Sequence, residues 1–260
     1  MVENETYPIS EVPLPRIRAA GVDRPWAWLA AGWNDLWRTP GVSLFYGALI
    51  AALSFALTAG LVWANALYLL LPLAAGFMLV APILAVGLYE ISRRHETGEA
   101  VTIATAFTGF GRRGAQLAAM GVVLMIFLLA WMRLATLIFA LFFNVEAPAW
   151  GDFVSTVFFS TESIPFVIIG TGIGAIVAFF VFAISAVSIP MILDRDTNAI
   201  IAVLASLAAV RHNMKAMLVW AALIVLFTAA GLATGYLGLV VTLPLIGHAT
   251  WHAYRDLIQH

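Results

Sequence analysis

Residues 41–91 read GVSLFYGALIAALSFALTAGLVWANALYLLLPLAAGFMLVAPILAVGLYEI, and Glu90 is the only Asp, Glu, Lys or Arg among them. A helix lying on a soluble core shows a polar face that returns about every 3.6 residues. No such face returns here. Trp63, Ala64 and Asn65 interrupt the run. The apolar segment on either side is long enough for the ~20 residues that a helix needs to cross a hydrocarbon layer. The stretch reads as a helical hairpin held in a bilayer, with a tight uncharged turn at one face and Glu90 near the other.

The rest of the chain continues in the same way. Apolar spans are expected near 41–63, 66–91, 115–143, 164–193, 214–234 and 236–254, the last two meeting at Thr234, Gly235 and Tyr236. The third and fourth runs exceed what a bilayer requires, so each is expected to be tilted, broken or partly outside the hydrocarbon. Of the 260 residues, 63% are hydrophobic and 10% charged, and mean hydropathy is +0.98. Soluble domains carry about 25% charged residues, so this chain cannot cover a globule with polar surface. The expected fold is all-α: a polytopic membrane protein of six transmembrane helices arranged as three hairpins, with the lipid bilayer as its first partner. A net charge of −1, with no basic stretch interleaved with aromatics, excludes a nucleic-acid partner. The lack of cysteine removes disulfides, iron–sulfur clusters, thiolate zinc sites and cysteine nucleophiles. The opening MVENETYPISEVPLPR has neither the basic region nor the apolar core of a cleaved signal.

Short loops rich in Lys and Arg stay in the cytoplasm. Twelve of the 13 Lys and Arg fall on one side of the six-span arrangement: Arg16, Arg18, Arg24, Arg38, Arg93, Arg94, Arg112, Arg113, Arg195, Arg211, Lys215 and Arg255. The opposite loops carry Glu146, Asp152 and Glu162. Both termini are therefore expected in the cytoplasm and the protein in the cytoplasmic membrane. Ahead of the spans, residues 1–20 hold three prolines and read as a disordered or extended arm. Residues 21–40 hold an amphipathic helix for the membrane surface: Trp26, Leu29, Trp33, Leu36 and Trp37 recur at helical spacing, with Asn34, Asp35 and Arg38 towards the other side. A second interfacial helix, on the outer side, is expected near 148–163, where Trp150, Phe153, Val154, Val157 and Phe158 share a face.

The chain also reads as three copies of one unit, a short amphipathic helix followed by a hairpin. The second span of each unit carries a proline in similar apolar context: Pro82 in VAPIL, Pro190 in SIPMI and Pro244 in TLPLI. Proline inside a membrane helix removes a hydrogen bond and bends the axis. These three are expected as static kinks that let hairpins pack, with transporter hinges the sharper reading. The glycines of GTGIG (Gly170–Gly174) and GLATG (Gly231–Gly235) have the spacing that lets helix backbones approach. GTGIG lies within an apolar span and follows no strand, so it is no nucleotide loop.

Few residues are equipped for chemistry. Arg133 is the one Lys or Arg deep inside an expected span; it stands about 30 Å up the helix from Arg113 at the usual rise. There it can pair with Glu146, Asp152 or Glu162, or serve as counter-charge to an anionic ligand. His248 and His252, in HATWHAYRDL (residues 248–257), project from one helical face, and Asp256 stands four residues beyond His252. Two ligands do not close a metal site. A third would have to come from Glu90, His95, Asp194, Asp196 or His212. An aromatic–basic anchor with intramolecular hydrogen bonds is the favoured reading, and a metal or haem site the alternative. Tyr89, Glu90, Tyr254, Arg255 and Asp256 are grouped with these as functional or packing candidates at the span ends. No nucleophile elbow, phosphate loop or carboxylate pair is present, so no catalytic residue, cofactor or enzymatic activity is expected.

Three stretches carry a family likeness: WNDLWRTPGVSLFYG from Trp33, PILAVGLYE from Pro82 and PLIGHATWHAYRD from Pro244. In these the chain resembles a family of predicted bacterial integral membrane proteins without established function, over about residues 22–258. Some members carry a cytochrome c oxidase component label. An oxidase catalytic subunit needs more spans and more histidines than this chain has, so the resemblance implies an accessory or assembly role in a membrane complex. A small-solute transporter or channel is the alternative that the repeat and kinks suggest.

Overall fold

The computed structural model describes residues 14–143 and 163–259. The expected outer interfacial helix near 148–163 falls, except for Ser163, outside the described residues, as do Glu146, Asp152, Glu162 and residues 1–13 of the arm. The described residues form eleven α-helices and a short 3-10 turn at Leu67–Leu69, with no strand beyond one isolated bridge between Ile17 and Ile258.

The helices are α1 (Arg24–Arg38), α2 (Pro40–Trp63), α3 (Leu70–Leu84), α4 (Val86–Thr97), α5 (Ile103–Arg112), α6 (Gly114–Phe142), α7 (Ser163–Ser185), α8 (Ser188–Asp194), α9 (Ala199–His212), α10 (Met214–Ala233) and α11 (Leu239–Leu257). One pattern recurs three times: a short helix, one non-helical residue, then a long apolar helix. The single residue is Thr39, Arg113 or Asn213, with φ/ψ of −137/65, −132/35 and −114/34. Each short helix is set by local chemistry at its start. Pro25 opens α1 in the first turn, where a missing N–H costs nothing. Thr102 and Thr105 form a reciprocal capping box at α5, and the Asn198 side chain caps α9 by accepting from the Ile201 N–H at 2.8 Å.

Five helical segments are long and apolar enough to cross a membrane: Pro40–Trp63, Leu67–Thr97, Gly114–Phe142, Ser163–Asp194 and Met214–Ala233. Two of them are bent. The first bend is at Ala85, three residues after Pro82; the second is at Ala186 and Val187, just before Pro190. At the second, Pro190 cannot donate to the Ala186 carbonyl, which opens the ladder there; Pro82 lies inside α3, which continues through it to Leu84. Pro244 lies inside α11, which continues through it. α11 is not among the five because its second half carries His248, His252, Arg255 and Asp256. It is instead largely enclosed, packed against α1, α2, α4 and α10.

α1 differs from expectation in which face it buries. Trp28, Leu29, Gly32, Asp35 and Leu36 pack inward, while Trp26, Trp33 and Trp37 are exposed. Leu29 and Leu36 of the expected apolar face are thus core residues, and Asp35, assigned to the opposite side, is buried with them. The reason is α11. At Gly32 the two backbones are so close that an added Cβ would lie 2.6 Å from Ala249 N and 2.8 Å from Leu245 O. The N-terminal stretch from Leu14 is extended and pinned. Arg18 N donates to Leu257 O at 2.8 Å, Gln259 N to Arg16 O at 3.0 Å and Ala20 N to Asn213 Oδ1 at 2.7 Å. Both described chain ends therefore meet at one end of the bundle. At the other end, Tyr236 bonds Thr58 at 2.7 Å and stacks edge-on with Phe55, drawing together the turns that follow α2 and α10.

Gly32→Ala should lower the melting temperature in detergent by several degrees, since overpacking against rigid backbone costs about 1–3 kcal/mol. Gly60→Ala, where an added Cβ meets nothing within 4 Å, should leave it level or raise it. Thermal melts of the two variants side by side check this.

Candidate functional site

The polar side chains of the described residues gather where the ends of α1, α4, α8 and α11 meet. Asp35 is the centre. Its Oδ1 accepts from His95 Nδ1 at 3.1 Å and its Oδ2 from His252 Nε2 at 2.8 Å. Beside it, the Ser92 hydroxyl bonds His248 Nδ1 at 2.8 Å and the Ser43 hydroxyl bonds His248 Nε2 at 3.0 Å. The result is a bonded chain of Ser43, His248 and Ser92 next to the cluster of His252, Asp35 and His95. His248, Ser43 and Ser92 are fully enclosed at 0% exposure, so each of these bonds is made away from water. Thr39, the break between α1 and α2, completes the set by bonding His95 Nε2 at 3.2 Å.

Around this chain sit ion pairs. Glu90, fully buried, accepts from Arg93 at 2.9 Å through both oxygens and from Arg94 at 2.7 Å. Arg93 also holds Glu99, whose carboxyl is drawn down to about 2 by hydrogen bonds from Arg93 and Thr97. Asp194 at the end of α8 accepts from the Tyr254 hydroxyl at 2.6 Å and from Arg255 at 3.3 Å. Glu96 accepts from Trp251 Nε1 at 3.0 Å and pairs with Arg255 at 3.0 Å. Asp256 accepts from Arg24 at 2.8 Å and Trp28 Nε1 at 2.9 Å. Burial pushes the Asp35 carboxyl up, but the hydrogen bonds from His252, His95 and Ser92 outweigh it and hold the group below its ordinary range. Asp256 is drawn down in the same way: burial pushes it up, and Arg24 and Trp28 overcome that.

The structure brings together His248, His252, Glu90, Tyr254, Arg255 and Asp256 of the sequence-derived candidates, with Tyr89 buried in the adjoining core. It does not bring in Arg133, which is exposed on α6, or the three prolines as ligands. Asp256 does not orient His252, as its spacing suggested; it turns to α1, and Asp35 takes that place. Both nitrogens of His248 are engaged by serines, and among the described residues no group of three or more His, Asp or Glu has the arrangement of a metal site. Sequence reasoning missed Asp35, Ser43 and Ser92. One signal was available: Trp28, Gly32, Asp35 and Leu36 follow i, i+4, i+7, i+8, the buried face of α1.

A second feature lies at the other end of the bundle. Between α3, α6 and α7 is a cavity of about 740 Å³, lined among others by Tyr68, Met78, Trp131, Phe139, Phe166 and Gly170. Among the described residues its wall contains no Asp, Glu, Lys, Arg or His. The Trp131 N–H, its one indole donor, is satisfied by the Pro72 carbonyl at 2.8 Å. Gly170 opens onto this space, with nothing within 4 Å of an added Cβ, whereas Gly174 of the same GTGIG lies tight against the Trp131 ring, 3.0 Å from an added Cβ, and Gly231 of GLATG lies tight against Leu239 and Thr242.

An all-helical bundle with several apolar helices of membrane-crossing length and a closed polar network at one end defines a polytopic integral membrane protein. Residues 70–194, which hold PILAVGLYE, match the family model "Predicted integral membrane protein (DUF2189)". No curated protein and no solved structure matches.

Ser92→Ala should strip His248 Nδ1 of its partner and cost about 1–3 kcal/mol, the penalty of a buried group left unpaired. Asp35→Asn should cost more, on the order of 3 kcal/mol, and its deficit should depend on pH. A carboxyl held low when folded stabilises fully above its unfolded value of about 3.9 and loses that contribution as pH falls through the folded value. The gap in melting temperature between the protein and Asp35→Asn should therefore be widest near neutral pH and close below about pH 4. Melts across pH 3–8 check it.

Proposed function

We propose that the chain is a non-catalytic accessory or assembly component of a larger membrane complex in the bacterial cytoplasmic membrane, a respiratory oxidase being the complex that the family resemblance suggests. The observation that carries this reading is that the polar network is closed on itself. Asp35, Glu90, Asp194, Asp256 and His248 each spend their hydrogen-bonding capacity on side chains of this chain, and none lines the large cavity. An enzyme or ion pathway would leave such groups facing a substrate. The apolar wall of the cavity counts against a polar-solute transporter. Haem or metal ligation through His248 would require one of its ring nitrogens to surrender a buried serine. Purification in mild detergent after cross-linking in the native host should return a stoichiometric partner protein; a chain that is always recovered alone sinks the accessory role.

Six spans, with both termini cytoplasmic, is the topology we favour. The pairing of Ile17 with Ile258 supports it, as does the clustering of Arg24, Arg38, Arg93, Arg94, Arg195 and Arg255 at that end. The apolar first half of α11, from Leu239 to Ile246, supports a sixth crossing within the bundle. The threefold recurrence of short helix, single-residue break and long helix supports an internal repeat of hairpin units. Because the chain has no cysteine, single substitutions test the topology directly. Asn65→Cys and Tyr236→Cys should react with an impermeant maleimide on intact cells, and Gln259→Cys only after lysis. Labelling of Tyr236→Cys and Gln259→Cys from the same side would mean that α11 does not cross.

A further inference from the structure

We propose that the cavity between α3, α6 and α7 holds an acyl chain of an anionic phospholipid, with Arg133 meeting its phosphate. This rests on the apolar helices crossing a bilayer and not on the accessory role. Size favours a lipid chain over a partner helix. About 740 Å³ falls among pockets of roughly 300–1,000 Å³ that enclose one small molecule. A membrane helix, about 10 Å across and about 30 Å long, is far larger. Chemistry points the same way. The polar members of the lining are Tyr68, Thr136 and Thr171, beside the already satisfied Trp131, so the space favours hydrocarbon.

The headgroup assignment comes from α6. Arg133 lies inside a segment of membrane-crossing length, is exposed, and has no ion pair or hydrogen bond among the described residues. It stands three residues before Thr136 and seven before Ala140, so all three share one helical face, and Thr136 and Ala140 line the cavity. A cation facing lipid is costly unless paired or reaching the interface. Its flexible stem allows the guanidinium to run along this face toward the end of α6, where the cavity is also lined by Phe139 and Ala140. A phosphate there would be held by a planar fork of donors.

Trp131 in the wall provides the readout. The full chain in detergent is titrated with phosphatidylglycerol brominated on its acyl chain, and separately with phosphatidylcholine carrying the same chain. The Trp131→Phe variant identifies the Trp131 component of the fluorescence. Phosphatidylglycerol should quench that component saturably, at a midpoint about fivefold lower than phosphatidylcholine, the preference that one basic side chain confers. Arg133→Gln should abolish the preference while keeping the saturable quench. Gly170→Phe and Ala175→Phe each fill the cavity, and whichever retains the native melting temperature should lose the saturable quench. Quenching that rises without saturation, or survives in the filled variants, overturns the site. An unchanged preference in Arg133→Gln overturns the headgroup assignment. A co-purifying polypeptide that must be removed before the lipid can quench overturns the lipid in favour of a protein occupant.

Discussion

Asp35 is the constraint on which the rest of the polar end depends. One carboxylate from a surface-entering helix takes donors from His95 of α4 and His252 of α11, and on the same two helices Ser92 bonds His248, which reaches Ser43 on α2. Four helices are thereby tied together, because each contributes a side chain to these bonds. A buried carboxylate is costly without several donors, and so are buried imidazole nitrogens without partners. The cluster stands only when complete, which makes it a device for specificity of packing more than a source of net stability.

The close approach at Gly32 follows from the same constraint. For Asp35 to reach His252 Nε2 at 2.8 Å, α1 must lie almost in backbone contact with α11, and a side chain at position 32 would hold the two apart. Trp28 on the same face extends the clasp, donating to Asp256 and standing edge-on to Trp220 of α10 at 5.7 Å. The exposed Trp26, Trp33 and Trp37 are left on the outer face of α1, where amphipathic rings suit a membrane interface. One helix thus presents apolar surface on both sides. Its inner face is chosen by Asp35 and glycine, not by hydrophobicity.

That is why the fold was more legible in the sequence than the site. Unbroken apolarity over residues 41–91 allows only one kind of structure, and the observed α2, α6 and α10 begin and end within a residue of the expected spans. Helix starts and breaks follow from local chemistry: Pro25, Asn198 and Pro190 act on their own neighbourhoods. The site joins residues far apart in the chain, Asp35 to His252 and Ser43 to His248, and no local period announces such partners. His248 and His252 were visible as a pair, yet their four-residue spacing says only that they share a face. The structure shows them serving different partners, one enclosed between serines and the other on a carboxylate. Asp256, the nearer and more obvious companion in sequence, turned away to Arg24 because the end of α11 faces α1.

The bends at Ala85 and Val187 connect the two ends of the molecule. α3 before its bend lines the apolar cavity, and α4 after it carries Glu90, Ser92, Arg93 and His95 into the polar network; α7 lines the cavity, and α8 delivers Asp194 to Tyr254. Each break therefore lets one continuous helical segment serve both ends, without a loop whose unpaired backbone groups lipid could not satisfy. Pro190 stands where the second ladder opens, its missing N–H facing the Ala186 carbonyl. Pro82 and Pro244 lie inside helices that continue through them, so a proline alone does not interrupt a helix in this fold.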